Sequence, residues 1–188
     1  MGKRVWVVLA AALALAAVTS GARLRSIVSQ PGAAVAAEAG SEEGVPAATG
    51  KAADFVLPTP DGKEVRLSDL KGKVVVLSFW ATWCPPCRKE LPHLEALHKK
   101  YKDKPVQVLG VNLDLAGEDL ARWLEENKVT FTTVADADGR AASAYGVKLL
   151  PTLVVVDQEM KIRQRIQGFN PKMEENLSRL IDGLLKGK

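Results

Sequence analysis

The sequence predicts an α/β fold in which a central strand hands over directly to a helix, and three patterns carry that prediction. Lys73-Val74-Val75-Val76-Leu77-Ser78-Phe79-Trp80 is a nearly unbroken apolar, β-branched and aromatic run, the pattern of a parallel-sheet strand covered on both faces. Immediately after it, Leu91, Leu94, Leu97, His98 and Tyr101 recur at three- and four-residue spacing, which marks a helix from about Pro85 to Lys102 with one buried stripe. A second apolar strand, Leu153 to Val156, follows a proline, and Leu177, Leu180, Ile181 and Leu184 form an amphipathic closing helix after Asn170-Pro171. With 188 residues, 47% of them hydrophobic, the chain can bury one good core, and the remainder is too short for another domain.

Taken in order, the chain opens with Lys3 and Arg4 and then an apolar run from Val5 to Val18, the layout of an export signal. That run falls short of the roughly 20 residues needed to span a bilayer, but it reaches eighteen when counted through Ala22. Ser20-Gly21-Ala22 offers a cleavage site, while Arg23 and Arg25 look like the border of a retained helix. Residues 1–22 therefore read as a signal peptide or membrane anchor, with the anchor favoured. The absence of a cysteine near the end of this segment argues against lipid attachment. Residues 23–50 read as a flexible linker, its stretch from 31 to 50 rich in Ala, Gly, Glu, Ser and Pro without apolar periodicity. Residues 51–188 are the folded domain.

Within that domain, Asp54 to Leu57, the turn Pro60-Asp61-Gly62 and Glu64 to Leu67 predict a hairpin, and Ser68 to Gly72 a short turn. A strand over Val106 to Leu113 follows the first helix. Between it and Tyr145 there is room for a further helix, Glu118 to Asn127, packed by Trp123, and a strand, Thr130 to Ala135. No internal repeat is evident. Of the formal charge of +4, residues 51–188 carry +3, and so mild a balance without a dense basic patch gives no case for nucleic acid.

Both cysteines of the chain sit in Trp83-Cys84-Pro85-Pro86-Cys87, at the junction of strand and helix. A bridge across two intervening residues closes almost no loop, so it stabilises little as a staple. Zinc would need His93 and His98 beside the cysteines. At about 100° per residue, however, His93 lies roughly 120° from Cys87 and His98 roughly 140° from His93, so the four cannot converge on one ion. Haem attachment requires His after the second cysteine, where Arg88 stands. A redox-active dithiol remains. A helix N-terminus offers unpaired N–H groups that favour thiolate over thiol. With Cys84 as N-cap, Pro85 and Pro86 fill the first two helical positions, where proline's fixed φ fits. They also remove two donors, leaving the N–H of Cys87 to stabilise the Cys84 thiolate. A less stabilised reduced form makes a weaker oxidant.

Glu90 lies within roughly 60° of Cys87, Leu94 and Leu97 on the helical wheel, on the buried stripe. A carboxylate among leucines should have a raised pKa and could exchange a proton with Cys87 near neutral pH. The plainer reading places Glu90 at the rim, paired with Lys89 or Lys99.

Together with Trp83-Cys84-Pro85-Pro86-Cys87, the stretch Tyr145-Gly146-Val147-Lys148-Leu149-Leu150-Pro151-Thr152 resembles the thioredoxin-fold family: WCxxC at a strand-to-helix junction, then YGVxxxPT. The resemblance covers roughly residues 52 to 186 and is closer to the TlpA-like, ResA-type branch than to plain thioredoxin. The hairpin lead-in, the central helix-strand insertion and Cys-Pro-Pro-Cys-Arg-Lys-Glu-Leu-Pro, which is similar to that branch's CxxCxxExP, carry the distinction. The resemblance implies a thioredoxin-like fold, a mixed central sheet flanked by helices with an N-terminal hairpin and a central αβ insertion. It aligns Glu90 with the branch's acidic residue and Pro92 with its helix-kinking proline. It also implies a cis Pro151 that faces the dithiol and, with Trp83 and Leu150, flanks the bond under attack. Where plain thioredoxin has a buried strand aspartate this chain has Ser78, which cannot serve as that base. Peroxiredoxins share the lead-in, but their threonine and proline spacing before the cysteine is missing.

The implied activity is that of an extracytoplasmic thiol-disulfide oxidoreductase working as a reductant, with Cys84 attacking and Cys87, assisted by Glu90, releasing the product. The resemblance implies no cofactor beyond the Cys84–Cys87 redox disulfide. Its implied partners are protein disulfides such as an apocytochrome c CxxCH pair and a membrane thiol-disulfide electron donor, with the chain itself a monomer. Two other readings stay open. One is an oxidase or isomerase using the same residues. The other is a copper-assembly module, disfavoured because Met160 and Met173 lie far from the motif and a proline before the dithiol would crowd an ion.

Overall fold

The structure, a computed structural model, describes residues 50–115 and 119–187. The expected leader and the linker up to residue 49 lie outside the described residues. In chain order the elements are β1 (Gly50–Lys51), β2 (Val56–Pro58), β3 (Glu64–Arg66), a 3-10 turn (Leu67–Leu70), β4 (Val74–Trp80), α1 (Pro85–Lys100) and β5 (Val106–Asn112). They continue with α2 (Leu120–Glu126), β6 (Thr132–Ala135), α3 (Arg140–Ala144), β7 (Thr152–Val156), β8 (Lys161–Gln167) and α4 (Met173–Lys186).

Six strands form one mixed sheet in the order β1-β8-β7-β4-β5-β6. The central strand β4 pairs in parallel with β5 from Val74↔Val106 to Trp80↔Asn112, and antiparallel with β7 from Val75↔Val156 to Phe79↔Thr152. All seven of its residues are buried, as a strand paired on both edges and covered on both faces must be. Strands β2 and β3 make the separate hairpin. This is the thioredoxin-like arrangement expected from the sequence.

Because side chains alternate along β4, its residues divide between two cores. Val74, Val76 and Trp80 meet Leu91, Leu94 and Leu97 of α1 and Leu177 and Ile181 of α4. Val75, Leu77 and Phe79 meet Ala141 and Ala142 of α3, Tyr145 and the hairpin side. Trp123 of the inserted α2 stacks on Trp80 with ring centroids 5.2 Å apart, so the insertion is fastened to the central strand. Gly110 of β5 lies under the same indole. A Cβ there would sit 2.9 Å from Trp80 Nε1 and 3.0 Å from Thr133 Oγ1, closer than packed atoms approach.

Several boundaries differ from the expected ones for identifiable reasons. Helix α1 stops at Lys100 because Tyr101 turns out of it, and its hydroxyl donates to the Ser178 carbonyl at 3.2 Å and to Asp182 Oδ1 at 3.0 Å, tying α1 to α4. Strand β6 begins at Thr132 because both the N–H and the hydroxyl of Thr130 are taken by Glu95 of α1. Burial raises the Glu95 pKa, but those two bonds and the Lys99 ammonium outweigh it and hold the carboxyl below its ordinary value. Gly50, read as the last linker residue, pairs with Ile162. Helix α3 has no apolar stripe to announce it. Its free N–H groups at Ala141 and Ala142 are received by the buried Asp136 carboxylate at 3.1 and 2.8 Å. Among the described residues, no helix is long and apolar enough to cross a membrane.

The close approach at Gly110 makes a direct test of this packing. Gly110→Ala should destabilise the domain by about 1–3 kcal/mol, read as a lower urea midpoint at unchanged slope. An unaltered midpoint would mean that the Trp80 indole is free to move aside.

Candidate active site

The loop between β4 and α1 is held before it presents any chemistry. The pairing of β4 with β5 continues one step further through Leu113 N–H to the Trp80 carbonyl at 2.9 Å. The Asp114 carboxylate then accepts the Thr82 N–H at 3.0 and 3.3 Å and the Asn112 amide at 3.0 Å, while Asp114 N–H donates to Asn112 Oδ1 at 3.1 Å. Asn112 and Asp114 are both buried. From that braced turn, Cys84 N–H reaches the Ala81 carbonyl at 3.2 Å.

Cys84 is the N-cap of α1, with φ −91° and ψ 106°, and Pro85 and Pro86 are the first two helical residues. Its carbonyl accepts the Arg88 N–H at 3.2 Å and its sulfur accepts the Cys87 N–H at 3.3 Å. The prolines have no N–H, so the cap rests on that one donor. The two sulfurs are joined as a disulfide, with Cα atoms 5.3 Å apart. Cys84 keeps 4% of its surface and Cys87 none. An approaching sulfur therefore meets Cys84, and Cys87 is reached through it.

The end of the sheet that carries the dithiol exposes apolar side chains: Trp83 is 69% exposed, Leu115 77% and Leu149 53%, and these come from the loops after β4, after β5 and before β7, which lie at that same end. The peptide bond between Leu150 and Pro151 is cis. Since Thr152 pairs with Phe79, Pro151 stands level with Trp80 at the end of β4 where the cysteine loop departs. The Pro151 carbonyl accepts the Gly168 N–H at 2.8 Å, and Thr152 Oγ1 donates to the Leu149 carbonyl at 2.6 Å. Leu150 is half-buried and packs inward against both cores, so Leu149 is the more open of the two.

Glu90 sits one turn beyond Cys87 on α1 and is fully buried. Burial pushes its carboxyl up to about 7, partly offset by a hydrogen bond from Ser78 Oγ to Oε1 at 2.7 Å. Its other oxygen, Oε2, is buried with no partner among the described residues. The rim alternative is thereby set aside, since Lys99 reaches Glu95 at 3.4 Å instead. Pro92 lies inside α1, where its missing N–H leaves the Arg88 carbonyl without its helical donor. His93 turns to Glu174 of α4 at 3.4 Å and stacks on Phe169, away from the cysteines.

Of the residues singled out in the sequence, Cys84, Pro85, Pro86, Cys87 and Glu90 lie together at the head of α1, Trp83 directly precedes them, and Pro151 stands level with Trp80 at the end of β4. Sequence reasoning missed Ser78 as the partner of Glu90 and Asp114 as the brace, and it did not single out the exposed Leu115 and Leu149. Ser78 alone had a usable signal. Counting by twos from Val76 and Trp80 puts it on the α1 face of β4.

The raised Glu90 pKa has a measurable consequence for stability. The folded state favours the protonated carboxyl, so this contribution is complete below the ordinary value of 4.5 and is lost as pH rises through about 7. Glutamine mimics the protonated form. Glu90→Gln should therefore match the native protein at pH 4 and exceed its stability at pH 8 by up to about 3 kcal/mol in the disulfide form. Equal unfolding midpoints for the two proteins at both pH values would overturn the assignment.

Residues 48–165 match the AhpC/TSA family. A thiol-disulfide oxidoreductase ResA from Bacillus thuringiensis subsp. konkukian is 36% identical over 132 residues, covering 69% of this chain and 76% of that protein. Among solved structures, one from Chlorobium tepidum described as a thiol:disulfide interchange protein, DsbE, superimposes with a TM-score of 0.69 at 40% identity, over 73% of this chain and 96% of that one. The pneumococcal exposed lipoprotein thioredoxin from Streptococcus pneumoniae strain TIGR4 gives a TM-score of 0.61 at 34% identity, over 70% of this chain and all of that one. With a strand-to-helix dithiol, a cis proline level with the end of the same strand and these relatives, the chain belongs to the AhpC/TSA family of thioredoxin-fold proteins, as a thiol-disulfide oxidoreductase of the ResA and DsbE type.

Proposed function

We propose that this oxidoreductase works outside the cytoplasm as a reductant of protein disulfides, with Cys84 as nucleophile, Cys87 as resolving thiol and Glu90 as proton acceptor. The observation that carries the reading is the asymmetry of the pair: Cys84 caps α1 and keeps some surface, whereas Cys87 is enclosed beside a buried carboxyl. The Cys84 thiolate attacks one sulfur of the target disulfide, forming a mixed disulfide and expelling the other target sulfur, which takes up a proton. Cys87 then gives its proton to Glu90 and attacks the Cys84 sulfur, which releases the second target thiol. Two electrons pass to the target and the Cys84–Cys87 disulfide remains. A membrane thiol-disulfide carrier restores the dithiol, and no further cofactor takes part.

Direction follows from the cap. A thiolate supported by one N–H is less stabilised than one supported by several, and a less stabilised dithiol is a better reductant. Trp83, Leu150 and Pro151 form the groove for the target backbone, extended by Leu115 and Leu149, while Pro85 and Pro86 shape the cap. An apocytochrome c CxxCH disulfide is a candidate target, because a bridge across two residues sits in a tight surface loop whose sulfurs an attacking thiolate can reach. The apolar run of residues 5–18 supports export and anchoring, and the exposed lipoprotein among the structural relatives supports work outside the cytoplasm. Residues 1–22 then serve as anchor, residues 23–49 as tether and the rest as a monomeric catalytic domain.

Cys84→Ser should abolish reduction of insulin, and Cys87→Ala should instead accumulate covalent adducts of Cys84, whose masses identify the target. Retention of native turnover by Cys84→Ser would end this reading. The midpoint potential should lie below about −200 mV, and a value near the −120 mV of a strong oxidant would select the oxidase direction.

A further inference from the structure

From the pairing of two fully buried side chains on facing elements, we infer that Ser78 is a positioning residue for the dithiol: its hydroxyl occupies Oε1 of Glu90 and leaves Oε2 as the atom that exchanges the proton of Cys87. The inference rests on Glu90 accepting that proton, as proposed above.

The placement begins with strand register. Val76 and Trp80, two residues to either side of Ser78, belong to the core that contains Cys84, Cys87, Leu91 and Leu94. Ser78 therefore projects from β4 onto the cysteine face of α1, into a layer closed to bulk solvent, where a hydroxyl or a carboxyl needs a partner. Both Ser78 and Glu90 have no exposed surface. The serine has one heavy-atom partner, Oε1 at 2.7 Å, and it donates. An oxygen already accepting a short hydrogen bond is the poorer site for a proton, so a proton on Glu90 resides on Oε2. That oxygen has no partner among the described residues. With Oε1 taken by the Ser78 hydroxyl, Oε2 is the oxygen that engages Cys87 when it is a free thiol.

The bond also tunes the carboxyl. Burial raises its proton affinity and the Ser78 hydroxyl lowers it, and no charged side chain of β4, β5, β7 or α4 adds to the balance. On α1 the titratable neighbours toward the motif are Cys87 and Cys84. Replacing the hydroxyl by hydrogen removes the one influence that keeps Glu90 ionisable near neutral pH. A serine in this position is thus part of the proton-transfer pair and does more than fill space left by an acid.

The test compares resolution of a preformed Cys84 mixed disulfide as a function of pH with the titration of Glu90 followed by carbon NMR in the reduced protein. Ser78→Ala should move both midpoints upward together by about one pH unit, a roughly tenfold loss of rate below the midpoint. Ser78→Thr should restore the native midpoints, and Ser78→Val, with the same shape but no hydroxyl, should repeat the alanine shift, so the comparison stands even if alanine fails to fold. In a Glu90→Gln background, Ser78→Ala should leave the resolution midpoint where it is. If Ser78→Ala and Ser78→Val leave the native midpoints unmoved while Glu90→Gln displaces the resolution midpoint, the role of Ser78 is overturned and that of Glu90 stands. If Glu90→Gln itself displaces nothing, the proton-acceptor step fails, and this inference with it.

Discussion

One sulfur accepts an N–H at the head of α1, and it can do so only because the strand before it cannot move. β4 is hydrogen-bonded to β5 on one side and β7 on the other, and every one of its residues is buried. The chain therefore leaves the sheet at Trp80 and nowhere else, and the brace from Asp114 to Thr82 determines how it turns. Where the helix begins, and so which residue caps it, follows from those constraints. The dithiol inherits its orientation from a strand that is paired on both edges and wholly buried, as a reacting group needs if it is to be held in productive geometry.

The same strand supplies both the support and the chemistry of the site. Its two faces serve two cores, and the face toward α1 carries Ser78 among hydrophobic neighbours. A hydroxyl there would be a liability without a partner, and a carboxyl on α1 would be a larger one. Each makes the other tolerable, and a carboxyl held near neutral affinity, one oxygen of which has no partner among the described residues, is the kind of local cost that active sites retain. The inserted α2 takes part indirectly, because Trp123 presses on Trp80 at the very end of β4.

Much of this was legible in the residues themselves. Apolar runs identified β4 and β7, three- and four-residue spacing identified α1 and α4, and the WCxxC motif located the site. The misses have physical causes. α3 is short, and its start is stabilised by the Asp136 carboxylate received across a loop, a bond that no periodicity records. β8, Lys161–Gln167, alternates charged and apolar residues in a way that also suits an exposed loop, and only its pairing with β7 makes it a strand. β6 lost two residues to Glu95, a carboxylate 35 positions away in sequence.

Local patterning was sufficient for whatever depends on neighbours along the chain: the cap at Cys84, the missing donors of Pro85 and Pro86, the burial of the Glu90 stripe. Those features need only helical or strand periodicity and the chemistry of single residues. The tertiary structure alone decided which distant groups meet. Ser78 with Glu90, Asp114 with Thr82, Glu95 with Thr130 and Pro151 level with Trp80 are all consequences of strand register and helix docking. Such contacts join residues far apart in sequence through packing of whole elements, and no short-range pattern encodes the distance between two side chains that meet only once the core has closed.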